Sequence, residues 1–410
     1  MAKIFPFQPY RYGPKAGELQ NLATQPYDKI SPEMQRKYLD ASPYNLVRVI
    51  LGERFASDTG TDNVYTRAAG YLNDWIAQEA LVRDAEPGLF AYFQEFTNPD
   101  TGERMVRKGF IGLGAVEEYS AGVVHRHEQT LSGPKKDRME LLRHTHAHFG
   151  QLFMLYPDPA GEIDRLLDEA ATVAPLGEVN DEYGARHRYW KVSDPARVPR
   201  IQELMADKKL LIADGHHRYE TALAFHRENP SLPGSDRVMM TFVNMHSPGL
   251  KILATHRLIS GVPNFDSGEF IRSAAAGFEM AQIPSLDLLR QRWAQFPNRA
   301  VIGAAIANRL YFIEARESAG QLDVKILHDR LLKLLGIGED AVREEKNLRY
   351  MRGLEAAVAE ARKGAAQIAF LLKPVSVEEV ARISFAGGVM PQKSTDFFPK
   401  LLSGLTIYKL

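Results

Sequence analysis

The chain has 410 residues, 45% of them hydrophobic, 25% charged and 10% aromatic, which excludes a disordered or fibrous polypeptide and predicts two or three folded domains. Its 51 Lys plus Arg balance 51 Asp plus Glu, so no global field draws it to nucleic acid or acidic lipid, and any anion binding must be local. It has no cysteine, which excludes disulfides, thiolate metal sites and cysteine nucleophiles.

Pro6, Pro9 and Pro14 interrupt the apolar run a signal peptide needs, and no stretch reaches the ~18 apolar residues of a membrane span. A cytoplasmic protein is expected. Ser31 before Pro32 predicts a capped helix, and the β-rich run Tyr44 to Leu51 predicts a strand. Residues 64–80 read as helix. Residues 89–96 and 104–116 read as a hairpin around Asn98-Pro99-Asp100-Thr101-Gly102, and 134–149 as helix. Strands are expected at 151–156, 187–192 and Leu210 to Ala213, with a helix at 195–206. Two apolar runs, Val238 to Met245 and Leu250 to Thr255, flank the turn Ser247-Pro248-Gly249.

Turn residues from Gly261 to Asn264 mark a boundary, giving an amino-terminal domain 1–261 and a carboxy-terminal domain 262–410. The second domain is predicted to contain paired strands near 300–314, a strand at 368–372, and helices at 323–335, 353–363 and 377–386. The last helix carries a capping box of Ser376 and Glu379. The class is α/β, in the mixed α+β sense.

Four segments carry chemistry. In Asp214-Gly215-His216-His217-Arg218 an apolar strand runs into a turn and then a helix, with Tyr219, Ala222, Leu223 and His226 on one face. Free amides at the helix start, Gly215 and a bidentate Arg218 favour a phosphate. In the segment 124–138, His127 beside Glu128 offers acid-base chemistry or a metal ligand, and Lys135, Lys136 and Arg138 supply cations. His144 and His148 stand four apart on the predicted helix and offer a metal pair, although Gly150 after them also suits a helix end that histidines complement. Gly387 to Thr395 is one residue short of a phosphate-binding loop, because Gln392 replaces its second glycine and Pro391 removes an amide. There Lys393, Ser394, Thr395 and Lys400 remain as contacts for phosphate or carboxylate.

The stretches QPYDKISPE (25–33), SPYNLVRV (42–49), RHEQTLSGPKKDRMELL (126–142), ADGHHRYETAL (213–223), FVNMHSPGLKILATHRL (242–258) and MPQKSTDFFPKLLSGL (390–405) closely resemble the prokaryotic family called domain of unknown function 1015. Gln25 stands where that pattern has proline, and Asp396 where it has an aromatic or small residue. Asp-Gly-His-His-Arg also resembles the phosphate-contacting motif of the ParB and sulfiredoxin superfamily, including its free serine kinases. That resemblance implies a ParB/sulfiredoxin-like nucleotide-binding core and transfer of phosphate from ATP or ADP, with Mg²⁺, to a small hydroxyl-bearing metabolite.

The phosphate cradle is then Asp214, Gly215, His216, His217 and Arg218, helped by Lys135, Arg138, Lys393, Ser394, Thr395 and Lys400. The loop 390–400 is expected to close the site. Glu128, Asp28 and His127 are the candidate catalytic residues, and no resident metal is expected. The alternatives are a regulatory nucleotide-binding module without turnover and a metal-dependent hydrolase built on His125, His127, Glu128 and the 144–148 histidines. The partners expected are a nucleotide and a small substrate, not nucleic acid or membrane.

Overall fold

A computed structural model describes residues 2–128, 132–297, 299–316 and 321–410. The chain forms two compact units, one of Met1–Lys251 with Ser384–Gly387 and Pro399–Leu410, the other of Ile252–Ile383 with Gly388–Phe398. Both mix helices and strands, the mixed α/β class read from the sequence.

The first unit is built on a nine-stranded sheet. Its strands run, edge to edge, Val124–His125, Leu210–Asp214, Leu152–Tyr156, Arg237–Asn244, Arg104–Ala115, Leu89–Thr97, Arg186–Val192 and Gly177–Asn180, with Ile4–Phe5 added alongside Arg104–Ala115. The predicted hairpin of Leu89–Thr97 and Arg104–Ala115 is present, closed by the Asn98 amide on Glu103 O (2.8 Å) and by Asn98 Oδ1 accepting from the Asp100 amide (3.0 Å). Leu210–Asp214 is parallel to Val124–His125 and antiparallel to Leu152–Tyr156. Helix His216–Glu228 lies directly after it and buries Tyr219, Ala222 and Leu223 in the main core, the face its 3.6-residue period predicts.

The structure departs from the sequence reading at two places in this unit. Tyr44 to Leu51 is not a strand: Val47–Ile50 is a helical turn, started by Asn45 Oδ1 accepting from the Val47 amide at 2.9 Å. Val47, Val49 and Ile50 are all buried, and an apolar run buried on every side shows no period to separate turn from strand. Helix Ser132–Thr145 ends before the predicted 149, because His146 takes a left-handed φ of 46° and Ala147–His148 pairs with Tyr408–Lys409. His144 and His148 therefore do not share a helix face.

The second unit has a six-stranded antiparallel sheet, ordered Phe278–Ile283, Arg309–Ala315, Val301–Ile306, Ile368–Leu371, His256–Ile259 and Leu348–Met351. His256–Ile259 lies between two strands of this sheet, so the unit begins at Ile252, ahead of the expected boundary at 262, and Pro399–Leu410 returns to the first unit. The predicted helix 323–335 is Asp323–Ile326 and Leu332–Leu334 joined by a π-helical stretch, Leu327–Leu331. Ser376 Oγ accepts from the Glu379 amide at 3.1 Å and caps Val377–Phe385. Among the described residues, no helix is long and apolar enough to cross a membrane.

Candidate functional site

Strand Leu210–Asp214 delivers Asp214 to a turn at Gly215, whose φ of 98° lies in the left-handed region that glycine alone adopts freely. A Cβ there would also meet Leu152 Cδ2 at 2.8 Å and Arg218 Nη2 at 3.1 Å, side-chain ends that would have to shift, so it is the conformation above all that requires glycine. The first intrahelical bond runs from the Tyr219 amide to Gly215 O (3.0 Å). The amides of His216, His217 and Arg218 precede it, at the positive end of the helix.

Arg218 Nη1 donates to Gln151 O at 2.6 Å, which fixes the guanidinium against the neighbouring strand. Lys400, nine-tenths buried, brings Nζ to 3.2 Å from Asp214 Oδ2. Burial pushes the Asp214 carboxyl up, but the charges of Lys400, Arg218 and Lys29 outweigh it and hold it well below the usual carboxylate range. Asp214 is thus a permanent anion, and its side chain is still 26% exposed.

Behind the turn lie two histidines. His127 Nδ1 donates to Ile212 O at 2.8 Å, and the His127 amide lies 3.5 Å from His216 Nε2. The rings meet edge to face at 4.7 Å. Burial pushes His127 down to about 4 and holds His216 well below the ordinary imidazole value. Both are neutral at pH 7 and serve as polar struts beneath the turn.

Beside Arg218 a 60 Å³ pocket is lined by Pro26, Tyr27, Arg138, His148, Arg218 and Ser403, among others. The Arg138 guanidinium sits 3.9 Å over the Tyr27 ring. It is oriented by Asp137, which takes Nε at 2.8 Å, and by Ile50 O, which takes Nη1 at 2.9 Å. Burial raises the Tyr27 phenol, Arg138 and Arg218 pull it down, and Asp28 pushes it up, so both arginines and that carboxylate act on one aromatic ring. Four of the segments singled out in the sequence, at 25–33, 126–142, 213–223 and 390–405, thus supply Tyr27, Arg138, Arg218 and Ser403 to one pocket.

The other candidates lie as follows. Lys135 pairs with Glu220 at 3.0 Å, and Arg126 reaches the same carboxylate at 3.3 Å. Asp28 lies 3.7 Å from Lys29 Nζ. Glu128 is half-buried and precedes residues 129–131, which lie outside the described residues. His144 Nδ1 bonds to Glu140 O at 2.8 Å, and His148 stacks on Tyr408. Among the described residues no group of three His, Asp or Glu side chains has the arrangement of a metal site. Lys393, Ser394 and Thr395 belong to the second unit, where Ser394 Oγ donates to Pro391 O at 2.5 Å and Lys393 has a φ of 55°.

Sequence reasoning missed a buried polar network that holds the backbone of Pro399 and Lys400. Arg107, 1% exposed, donates from Nε to Gln94 Oε1 at 2.9 Å and from Nη2 to Pro399 O. Gln94 donates in turn to Lys400 O at 2.8 Å. His187 links Tyr92 (2.6 Å) to Asp181 (3.2 Å), and Gln25 donates to Asp181 at 3.3 Å and Glu182 at 3.2 Å. Burial pushes Arg107 down to about 9 against the pull of Tyr92 and Asp214. This network anchors the backbone of Pro399 and Lys400 and so delivers the Lys400 ammonium to Asp214. A signal was available: Arg107 interrupts a strand that is otherwise apolar or glycine towards the core.

The sequence profile of the family described as Protein of unknown function (DUF1015) matches residues 4–331. No curated protein sequence matches. Among solved structures, a free serine kinase in complex with ADP is similar at 14% identity, with 70% of this chain and 88% of that chain covered and a TM-score of 0.39. A conserved hypothetical protein from Pyrococcus furiosus is similar at 15% identity, covering 70% and 91%, with a TM-score of 0.37. SbnI from Staphylococcus aureus, truncated at its C-terminus, is similar at 9% identity, covering 71% and 85%, with a TM-score of 0.36.

Proposed function

This chain belongs to the DUF1015 family, and we propose that its first unit is a nucleotide-dependent phosphotransferase acting on a small hydroxyl-bearing metabolite, with a ParB/sulfiredoxin-like core. One observation carries the reading: Tyr27, Arg138, Arg218 and Ser403, from four separate segments, line one pocket beside the turn at Gly215. Phosphoryl transfer asks a protein mainly for positioning and charge neutralisation, and the cradle has parts suited to both.

The amides of His216, His217 and Arg218 bind phosphate oxygens, the Arg218 and Arg138 guanidinium groups neutralise them, and the Tyr27 ring packs against the nucleoside. His127 and His216, being neutral and buried, hold the turn and move no proton. Asp28 is the base. It accepts the proton of the acceptor hydroxyl as that oxygen bonds to phosphorus and the bond from phosphorus to the nucleotide oxygen breaks.

Mg²⁺ usually takes one or two carboxylates and completes its shell with phosphate oxygens and water. Asp214 is ionised and partly exposed, but Lys400, Arg218 and Lys29 already surround it, so it does not suit a resident Mg²⁺, and an ion arriving with the nucleotide would be held mainly by the phosphates. When bound, the ion supplies counter-charge to the phosphates.

The test is multiple-turnover consumption of ATP or ADP by the purified full chain, with free serine as the first acceptor because of the motif's resemblance, followed by other hydroxyl-bearing amino acids and sugars. Phosphorylated product from one acceptor is expected. Nucleotide binding without product from any acceptor would leave the regulatory module in its place.

A further inference from the structure

The second unit contains a cleft of 710 Å³ lined by Arg257, Asp323, Trp293, Lys373, Leu372 and Pro374, among others. Two of these side chains are buried with atoms left unsatisfied. Arg257 is 1% exposed and donates to the carbonyls of Thr255, Gln392 (3.2 Å) and Lys393 (3.0 Å), but among the described residues its Nε has no partner and its charge meets no carboxylate. Asp323 is 7% exposed; its Oδ1 lies 3.6 Å from Lys373 Nζ, and its Oδ2 has no partner among the described residues. Lys373 in turn donates to the carbonyls of Pro297 (2.9 Å) and Arg299 (2.8 Å).

A buried polar atom without a partner costs about 1–3 kcal/mol, and more when it is charged, so two on residues that line one cleft are candidates to bond something that enters it. They are of opposite kinds, a cationic donor and a carboxyl acceptor. The same cleft offers Trp293, Leu372, Val324 and Pro374 as apolar wall, the mix of surfaces a small-molecule site presents.

We propose that this cleft binds a small zwitterion of the α-amino-acid class, with Arg257 holding its carboxylate, Asp323 its ammonium, and the Trp293 wall its side chain. A plain anion such as inorganic phosphate satisfies Arg257 alone, and a plain amine Asp323 alone. The acid-base state of the site agrees. Burial holds Asp323 up at about 7, Lys373 pulling it down and Glu379 pushing it up, and an arriving ammonium ionises it. His328 is held at about 4 by burial and by the Arg257 charge, so it stays neutral beside the arginine.

The experiment uses the full-length chain. Trp293 belongs to the cleft, whereas Trp75 and Trp190 belong to the first unit. The twenty amino acids are screened by thermal shift and by intrinsic fluorescence, and the best is titrated calorimetrically at pH 7 in buffers of differing ionisation enthalpy. Expected are a fluorescence change that Trp293→Phe removes, proton release on binding, and affinity at least about tenfold weaker for the deaminated and the decarboxylated analogue. Asp323→Asn is expected to abolish the proton release and weaken binding about tenfold. Amino-acid binding at the acceptor position of the first unit is told apart, because Asp323→Asn leaves it intact. The proposal fails if no amino acid binds by about 10 mM, if analogues lacking one charge bind equally well, or if Asp323→Asn binds like the wild type. Should Asp323→Asn not fold, the analogue series and the Trp293→Phe comparison decide alone.

Discussion

Replacing Lys400 by methionine keeps the stem's bulk and removes the charge that faces Asp214. The two groups are 3.2 Å apart, with Lys400 9% and Asp214 26% exposed. At that distance the gross attraction is about 5 kcal/mol for an effective dielectric of ~20, and removing one partner of a fully buried pair costs about 3–5 kcal/mol. Asp214 keeps some water, and Arg218 and Lys29 still act on it, so the expected loss for Lys400→Met is about 2–3 kcal/mol. The pH dependence has a definite sign. A carboxyl depressed in the folded chain contributes fully above its unfolded value near ~4, and the contribution drains as pH falls towards the lower folded value. The gap between wild type and variant is therefore widest at neutral pH and narrows below pH ~4. Urea unfolding in a Trp293→Phe background measures it, because Trp75 and Trp190 then report the first unit alone. A gap below about 0.5 kcal/mol at neutral pH, or one unchanged down to pH ~3, would refute the reasoning.

Gly215→Ala forces a side chain into a φ of 98° and against Leu152 Cδ2 at 2.8 Å; a stability loss of about 1–3 kcal/mol is expected in the same unfolding assay, with a further loss of nucleotide affinity. Asp28→Asn is expected to cut turnover about 100-fold or more while nucleotide affinity and melting temperature hold, and Glu128→Gln, assayed beside it, to keep most of its activity; the reverse order would move the base to Glu128. His127, pushed down to about 4, is neutral when folded and takes up a proton on unfolding below its ordinary value of ~6.5. Stability should therefore fall as pH drops from ~6.5 to ~4, and His127→Asn, scanned by urea unfolding against pH, should flatten that fall.

The parts of the fold legible in the sequence were those punctuated locally. Asn98 to Gly102 announces a hairpin, Ser31-Pro32 a helix start, and Asp214-Gly215 the end of a strand, because each needs a particular backbone conformation or cap. Residues 44–51 misled because continuous burial erases periodicity. His148 lies off the helix because the helix stops at a left-handed His146, a conformation the surrounding sequence does not signal. In the site, the turn residues and the cations could be named one by one, but not the pairing of Lys135 with Glu220 or of Arg138 with Asp137. The first depends on side chains brought together across the fold, and the second on a rotamer choice between adjacent residues that the sequence does not fix. Lys400 was singled out as a constrained cation, whereas the reason it reaches Asp214 lies in Arg107 and Gln94, about 300 residues away along the chain and holding its backbone.

In the proposed function the turn at Gly215 to Arg218 cradles the phosphates of a nucleotide. Isothermal titration of the full chain with ADP and with ATP, with and without Mg²⁺, tests it most directly when repeated on Arg218→Ala. Saturable binding at one site per chain is predicted, weakened in the variant by ~1.5–3 kcal/mol, or roughly 10- to 150-fold, the range for losing a charge-assisted hydrogen bond. Absence of nucleotide binding by the wild type, or equal affinities for wild type and Arg218→Ala, would contradict it.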